Sequence, residues 1–144
     1  MAVLPNRETF LEKAKQGNLV PVWKEILADQ ETPVSAYERV RTYLRERDQA
    51  SHTYLLESVE GGENIGRYSF IGGTPRTIIR AYGRRVEIST VGNERVVLDD
   101  VDPLDALKQH MAQFSPVVDD PSLPRFIGGA VGFIGYDMVS QFEP

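Results

Sequence analysis

The chain has 144 residues, of which 41% are hydrophobic and 26% are charged, and its formal net charge is −5. This length and composition predict one globular domain with its own core. A nucleic-acid-binding surface needs a clustered basic face, whereas the arginines of residues 39–47 are interleaved with acidic residues, so we expect no nucleic-acid partner. The sequence contains no cysteine, which excludes disulfides and thiolate metal sites and fits a reducing cytoplasm.

No stretch of the sequence is typical of a membrane segment. The most apolar window, residues 126–134, is far shorter than the ~20 residues that a membrane helix needs. The N-terminus lacks a long apolar run after a basic region, so no signal peptide is predicted. We therefore expect a soluble, cytoplasmic protein with no membrane partner.

Three segments combine a capping residue with apolar side chains at every third or fourth position, the pattern of an amphipathic helix. Proline at the first helical position supports the second and the third. The predicted helices are residues 6–16, capped by Asn6, residues 33–47, capped by Thr32, and residues 103–114, capped by Asp102. The first belongs to an N-terminal helical segment, residues 1–17, within a single domain that spans residues 1–144.

Further segments alternate apolar and polar residues or are apolar throughout, and are bounded by turn residues, which predicts strands. They are residues 19–27, 54–56, 67–71, 77–82, 85–90, 94–98 and 126–134. Together with the helices they predict an α+β fold with a largely antiparallel sheet and flanking helices. Residues 126–134 are too apolar for a strand with one solvent-exposed face. We therefore expect them to form a central strand of the sheet that is covered on both faces. The last 10 residues can cover little, which predicts that a larger structure continues beyond residue 144.

Most polar groups of the sequence show no catalytic or metal-binding pattern. The glycines of residues 128–135 do not match a dinucleotide fingerprint, and there is no phosphate loop. The two histidines lie on different predicted elements, and the aspartate pairs at residues 99–100 and 119–120 have the character of solvated turns. We therefore predict no catalytic residue, no metal ligand and no cofactor within these residues.

The stronger candidate for a binding site is the end of the strand at residues 54–56. This strand runs into Glu57 and Ser58, and a glycine-rich turn leads to the next strand at Arg67. Alternate residues of a strand face opposite sides, so Leu56 and Ser58 share one face and Glu57 lies on the other. Glu57 and Ser58 can therefore act on one ligand only where the strand ends or bulges. An amino acid fits these groups, as do many other ligands, and solvated turn residues are the alternative interpretation.

Three motifs closely resemble the N-terminal part of anthranilate synthase component I, a member of the chorismate-utilising enzyme family. They are TPVSAYERV at residues 32–40, LLESVEGGENIGRYSFIG at residues 55–72 and GGAVGFIGYDMV at residues 128–139. The resemblance runs from about residue 17 to the end of the chain. It implies that this chain is an incomplete part of a larger enzyme fold, whose chorismate-binding and magnesium-binding residues lie in a C-terminal catalytic domain outside these 144 residues.

The resemblance also implies the function of the parent protein. It would be a lyase that converts chorismate and ammonia into anthranilate and pyruvate in tryptophan biosynthesis. It would use Mg²⁺, receive ammonia from a glutamine amidotransferase, component II, and be feedback-inhibited by tryptophan as allosteric ligand.

Carried onto this sequence, the resemblance identifies Leu56, Glu57 and Ser58 as candidates for the tryptophan site. A lysine that some relatives use after this motif has no counterpart here, and Arg67 or Tyr68 would replace it. We expect the chain alone to be catalytically inert. Two alternatives remain open: the corresponding region of aminodeoxychorismate synthase component I, on the folate route, and a free-standing amino-acid-binding or interaction module.

Overall fold

A computed structural model describes residues 2–47, 52–57 and 68–138 of the chain. In chain order the elements are α1 (Arg7–Lys13), α2 (Pro33–Glu46), β1 (Thr53–Glu57), β2 (Ser69–Gly73), β3 (Thr77–Tyr82), β4 (Arg85–Thr90), β5 (Val96–Leu98), α3 (Pro103–Met111) and a 3-10 turn (Tyr136–Met138). All strand pairs among them are antiparallel, so the predicted α+β class is confirmed. The strands form two small sheets, β1-β2 and β3-β4-β5.

The chain divides into two compact units. Leu27–Arg76 forms one, which contains α2 and the hairpin of β1 and β2. Met1–Ile26 and Thr77–Pro144 together form the other, which contains α1, the three-stranded sheet and α3.

Helix α2 begins with the predicted cap. The Thr32 hydroxyl accepts a hydrogen bond of 3.1 Å from the Ser35 backbone N–H, and the Ser35 hydroxyl accepts one of 2.9 Å from the Thr32 N–H. This reciprocal pair satisfies two backbone donors at the helix start, and Pro33 has no N–H to satisfy. Leu44, which is 8% exposed, is the buried residue of the helix. Through this face α2 packs against β1 and β2.

The second unit is built around the β3-β4-β5 meander. The turn between β3 and β4 places Gly83 at φ +59°, in the left-handed region that glycine adopts without strain. Val86 on β4 is fully buried, and α3 lies against β4 with Pro103 and Ala106 also buried. Asp102 caps α3 as predicted, accepting hydrogen bonds from the first helical turn.

The segment after α1 is tied to the segment after α3. The Asn18 side-chain amide donates to the Gln113 carbonyl and accepts from the Ser115 N–H, both at 2.7 Å. Gly17 lies so close to the Ser115 carbonyl and to Val117 that a Cβ at this position would overlap them. The absence of a side chain at residue 17 is therefore what allows the two segments to meet.

Two of the predicted strands are wrong. Among the described residues, residues 19–27 contribute only isolated bridges, Leu4 with Trp23 and Leu19 with Pro116, because Pro21 cannot donate to a ladder and no continuous partner strand of the described chain lies alongside. Residues 126–134 form no strand, and Phe133 is 95% exposed. Apolar character predicts that a segment will be covered, but it does not supply the neighbouring strand that a ladder requires.

The other boundaries shift by a few residues. The second hairpin strand begins at Ser69 rather than at residue 67, the last meander strand begins at Val96 rather than at residue 94, and α1 and α3 end before the predicted residues 16 and 114. Across the described residues, no helix combines the length and the apolar character needed to cross a membrane.

Candidate functional site

The residues that carry the candidate site belong to the β1-β2 hairpin. The register places Leu56 opposite Phe70 and Glu57 opposite Ser69, at the end of the hairpin where β1 finishes and β2 begins. Directly opposite residues of an antiparallel pair point to the same face, and neighbours along a strand point to opposite faces. Leu56 and Glu57 therefore lie on opposite faces of the hairpin, as the alternation in the sequence predicts.

Helix α2 covers the face that carries Glu57. The hydroxyls of Thr53 and Tyr37 share a hydrogen bond of 3.0 Å, and a Cβ at Gly73 would lie 2.5 Å from the Leu44 Cδ1 atom. Thr53 and Gly73 are directly opposite each other and lie on the same face as Glu57. Glu57 itself is exposed, because it lies at the end of β1.

The other face of the hairpin is aromatic and open. We define the aromatic face as Tyr54, Leu56, Tyr68 and Phe70. The Tyr54 ring lies directly on Gly72, where a Cβ would overlap it. The rings of Tyr68 and Phe70 stack, with centroids 6.2 Å apart and an interplanar angle of 28°. Leu56 and Tyr68 are 43% and 49% exposed, so the aromatic face is accessible to solvent at the end of β1.

The predicted site residues are only partly brought together. Leu56 and Tyr68 lie on the aromatic face, joined by Phe70, whereas Glu57 projects from the opposite side. Ser58 and Arg67 lie outside the described residues. Phe70 was not among the predicted site residues, although the register of the hairpin would have placed it opposite Leu56.

Polar contacts close to the hairpin hold the start of α2. Glu31 accepts a hydrogen bond of 2.7 Å from the Ser35 hydroxyl and forms an ion pair of 2.8 Å with Arg39. Because each of its carboxylate oxygens already has a partner on α2, Glu31 is a structural carboxylate and a poor candidate for ligand binding.

The shifted pKa values lie in the other unit, in exposed turns. The hydrogen bond to Asp100, at 2.5 Å, raises the pKa of Arg84. The Ser122 hydroxyl and N–H, which donate to Asp120 at 2.6 and 2.9 Å, lower the pKa of that carboxyl. The first pair joins the turn between β3 and β4 to the segment after β5, the second lies within one turn, and neither belongs to the hairpin.

The magnesium ion that the sequence resemblance implies for a complete protein has no ligand set in the part of the chain that the structure describes. Within residues 2–47, 52–57 and 68–138, no three His, Asp or Glu side chains are close enough to hold a metal ion. These residues therefore do not fit a magnesium site.

Comparison with known proteins identifies the relatives of the chain. It is 45% identical to anthranilate synthase component 1 of Pseudomonas aeruginosa over 140 residues, which are 96% of this chain and 27% of the relative. It is 40% identical to anthranilate synthase component 1 of Synechocystis sp. over 142 residues, 99% of this chain and 26% of the relative. The chain is also 40% identical to anthranilate synthase component 1 of Acetivibrio thermocellus over 131 residues.

The chain thus spans about a quarter of the length of the curated relatives that it matches. No known family profile matches it. No solved structure matches it either.

Proposed function

We propose that this chain, which is homologous to the N-terminal part of anthranilate synthase component 1, is the tryptophan-sensing region of a longer enzyme. The complete enzyme would be a cytoplasmic lyase that forms anthranilate and pyruvate from chorismate. It would use magnesium and ammonia from a glutamine amidotransferase, component II. The chain alone would lack this activity.

The observation that carries the proposal is the open aromatic face at the end of β1. Leu56 and Tyr68 leave about half of their surface accessible beside the half-buried Phe70 ring. An indole ring is large, flat and apolar, and aromatic pairs in offset or edge-to-face geometry contribute about 0.5–1.5 kcal/mol beyond the burial of their area. This face would therefore hold the tryptophan side chain.

The polar end of the amino acid would be held by the residues that follow Leu56. The Glu57 carboxylate would pair with the ammonium group, and the Ser58 hydroxyl and either Arg67 or Tyr68 would donate to the carboxylate. Glu57 is the last residue of β1. A strand end is what the alternation of faces requires if Glu57 and a residue on the other face are to reach one ligand.

Binding at this site would inhibit the distant catalytic domain by selecting one of two states of the complete enzyme. A ligand shifts such an equilibrium only by its difference in affinity for the two states. The chain by itself offers one wall of the site, so its own affinity for tryptophan should be low.

Titration calorimetry of the purified chain tests the proposal. We expect weak heat on addition of tryptophan, less on addition of phenylalanine, and none from tryptophan with the double variant Glu57→Ala/Ser58→Ala. The matched control, Glu94→Ala/Ser122→Ala, changes the same residue types in the other unit and should bind as the unchanged chain does. Equal heats for the two amino acids, or undiminished binding by the first double variant, would overturn the assignment.

A second assay addresses the catalytic claim. The purified chain is incubated with chorismate, magnesium and ammonium, and anthranilate is followed by its fluorescence. We expect no product, and formation of anthranilate would contradict the claim that the chain is inert alone.

A further inference from the structure

The short strand β5 lies at the edge of the three-stranded sheet with little apolar surface to hold it there. It has three residues, and among the described residues it pairs only with β4. Val96 and Val97 are 49% and 38% exposed, and Leu98 is half-buried. A strand with so few buried contacts belongs to the least stable part of a fold. Its attachment therefore depends on contacts other than apolar burial.

An ion pair joins the start of β5 to β4. Arg95, directly before the strand, pairs with the Glu87 carboxylate on β4. Arg85 lies two residues before Glu87, on the same face of β4, and its guanidinium is 3.7 Å from the same carboxylate. The Glu87 side chain is only 15% exposed, so this carboxylate is enclosed between two arginines.

Two further ion pairs join the other end of β5 to the start of β4. The register of the two strands, continued by one residue, places Arg85 opposite Asp99, and the two charged groups are 3.7 Å apart. Continued by two residues, it places Arg84 opposite Asp100. The Arg84 guanidinium donates to the Asp100 carboxylate at 2.5 Å and to the Asp100 carbonyl at 3.0 Å. Opposite charges that face each other across an antiparallel pair stabilise that register.

We propose that these three cross-strand pairs, which we call the ion-pair latch, hold β5 on the sheet and make it an edge strand that detaches at high ionic strength. The members of the latch are Glu87 with Arg95, Arg85 with Asp99, and Arg84 with Asp100. All of them except Glu87 have side chains at least half exposed. Exposed pairs are individually weak and are screened by salt, and the Debye length falls to about 3 Å at 1 M salt, close to the separations in the latch.

Detachment of β5 would change what the sheet presents to solvent. The backbone groups of β4 that pair with β5 would become an open row of donors and acceptors, which is a template for pairing with another strand. The closed latch thus protects this edge of the sheet. The proposal rests on the described contacts of β4 and β5 and does not depend on tryptophan binding.

Amide hydrogen exchange of the 144-residue chain, followed by NMR at two salt concentrations, tests the latch. Raising sodium chloride from about 20 mM to about 1 M should accelerate exchange in β5 about threefold, because screening weakens all three pairs at once. Exchange in the β1-β2 hairpin, which belongs to the other unit, is the internal reference and should change much less.

Single neutral substitutions separate the latch from a general effect of salt. Asp99→Asn and Arg95→Gln each remove one cross-strand pair, so each should accelerate exchange in β5 about twofold at low salt and reduce its response to added salt. Glu94→Gln is the matched control. Glu94 is exposed, lies beside Arg95 and forms no ion pair with any residue that the structure describes, so its substitution should leave exchange in β5 unchanged.

Three outcomes would overturn the latch. The first is exchange in β5 that does not respond to salt, which together with faster exchange in Leu98→Ala would show that apolar burial holds the strand. The second is an equal acceleration in the β1-β2 hairpin, which would show that salt destabilises the whole chain. The third is exchange in Asp99→Asn and Arg95→Gln as slow as in Glu94→Gln, which would show that the pairs contribute nothing.

Discussion

At the scale of single residues, Gly73 sets how closely α2 approaches the hairpin. A Cβ at this position would lie 2.5 Å from the Leu44 Cδ1 atom and 3.1 Å from the Thr53 Cγ2 atom. Leu44 is buried, so it cannot move aside into solvent. We therefore expect Gly73→Ala to lower the free energy of unfolding by about 1–3 kcal/mol, the cost of overpacking a core. Urea denaturation followed by circular dichroism measures this change.

Gly132→Ala is the matched control for that experiment. A Cβ at Gly132 meets nothing within 4 Å. Its effect on the free energy of unfolding should be within about 0.5 kcal/mol, as for most exposed substitutions. A loss of equal size in both variants would show that a general cost of replacing glycine, and not contact with Leu44, is responsible.

Asp120 provides a pH-dependent prediction. Its pKa is lowered from 3.8, first by the hydrogen bond from the Ser122 hydroxyl and then by that from the Ser122 N–H. A carboxyl whose pKa is lower in the folded state contributes stability above its unfolded pKa, and this contribution is lost as the pH falls through the folded pKa. Ser122→Ala should raise the pKa of Asp120 towards 3.8 without reaching it, because the N–H bond at 2.9 Å remains.

Carbon-13 NMR titration of the Asp120 carboxyl measures that shift. Ser122→Thr keeps a hydroxyl at the same place and should leave the pKa low. An unchanged pKa in Ser122→Ala would show that the backbone N–H, and not the hydroxyl, sets the acidity of this carboxyl.

The candidate site was predictable to the extent that it follows strand alternation. That alternation places Leu56 and Glu57 on opposite faces, and the structure shows them there. Phe70 could not be assigned from its own segment, because its partner across the hairpin depends on the register. The stack of Tyr68 on Phe70 depends in addition on side-chain geometry that a sequence pattern does not contain.

At the scale of elements, the capping box of α2 makes a measurable contribution to the unit that contains the hairpin. Thr32→Ala removes the acceptor for the Ser35 N–H, and loss of such a cap typically costs about 1 kcal/mol. Urea denaturation should show this loss. Thr42→Ala, on the exposed side of the same helix, changes the same residue type without removing a cap and should be neutral or slightly stabilising. Equal destabilisation by both variants would contradict the role of the cap.

Elements with local signals were predicted well, and elements that need a distant partner were not. The α2 and α3 starts follow from a capping residue and a proline, and the β3-β4 hairpin follows from alternation around a turn. These signals lie within a few residues of each other. The apolar residues 126–134 predicted a strand covered on both faces, and this prediction was wrong, because Phe133 is 95% exposed and no strand lies beside the segment in the described part of the chain.

At the scale of the whole molecule, little apolar side-chain surface is fully removed from water. Only Leu44, Val86, Pro103 and Ala106 are buried among the described residues, while large hydrophobic side chains such as Phe133 remain exposed. The enthalpy of unfolding scales with the surface and contacts buried, and an ordinary globular protein gives about 0.7 kcal/mol per residue near 60 °C. For a 144-residue chain this is about 100 kcal/mol.

We therefore expect calorimetry of the isolated chain to give an enthalpy of unfolding well below about 100 kcal/mol. Val86→Ala should lower the melting temperature, because Val86 is fully buried, and Val91→Ala, at a residue 76% exposed, should not. A cooperative transition with the full enthalpy would show that the chain buries an ordinary core by itself. A reduced enthalpy would show that the isolated chain buries less surface on folding than an ordinary globular protein of its length.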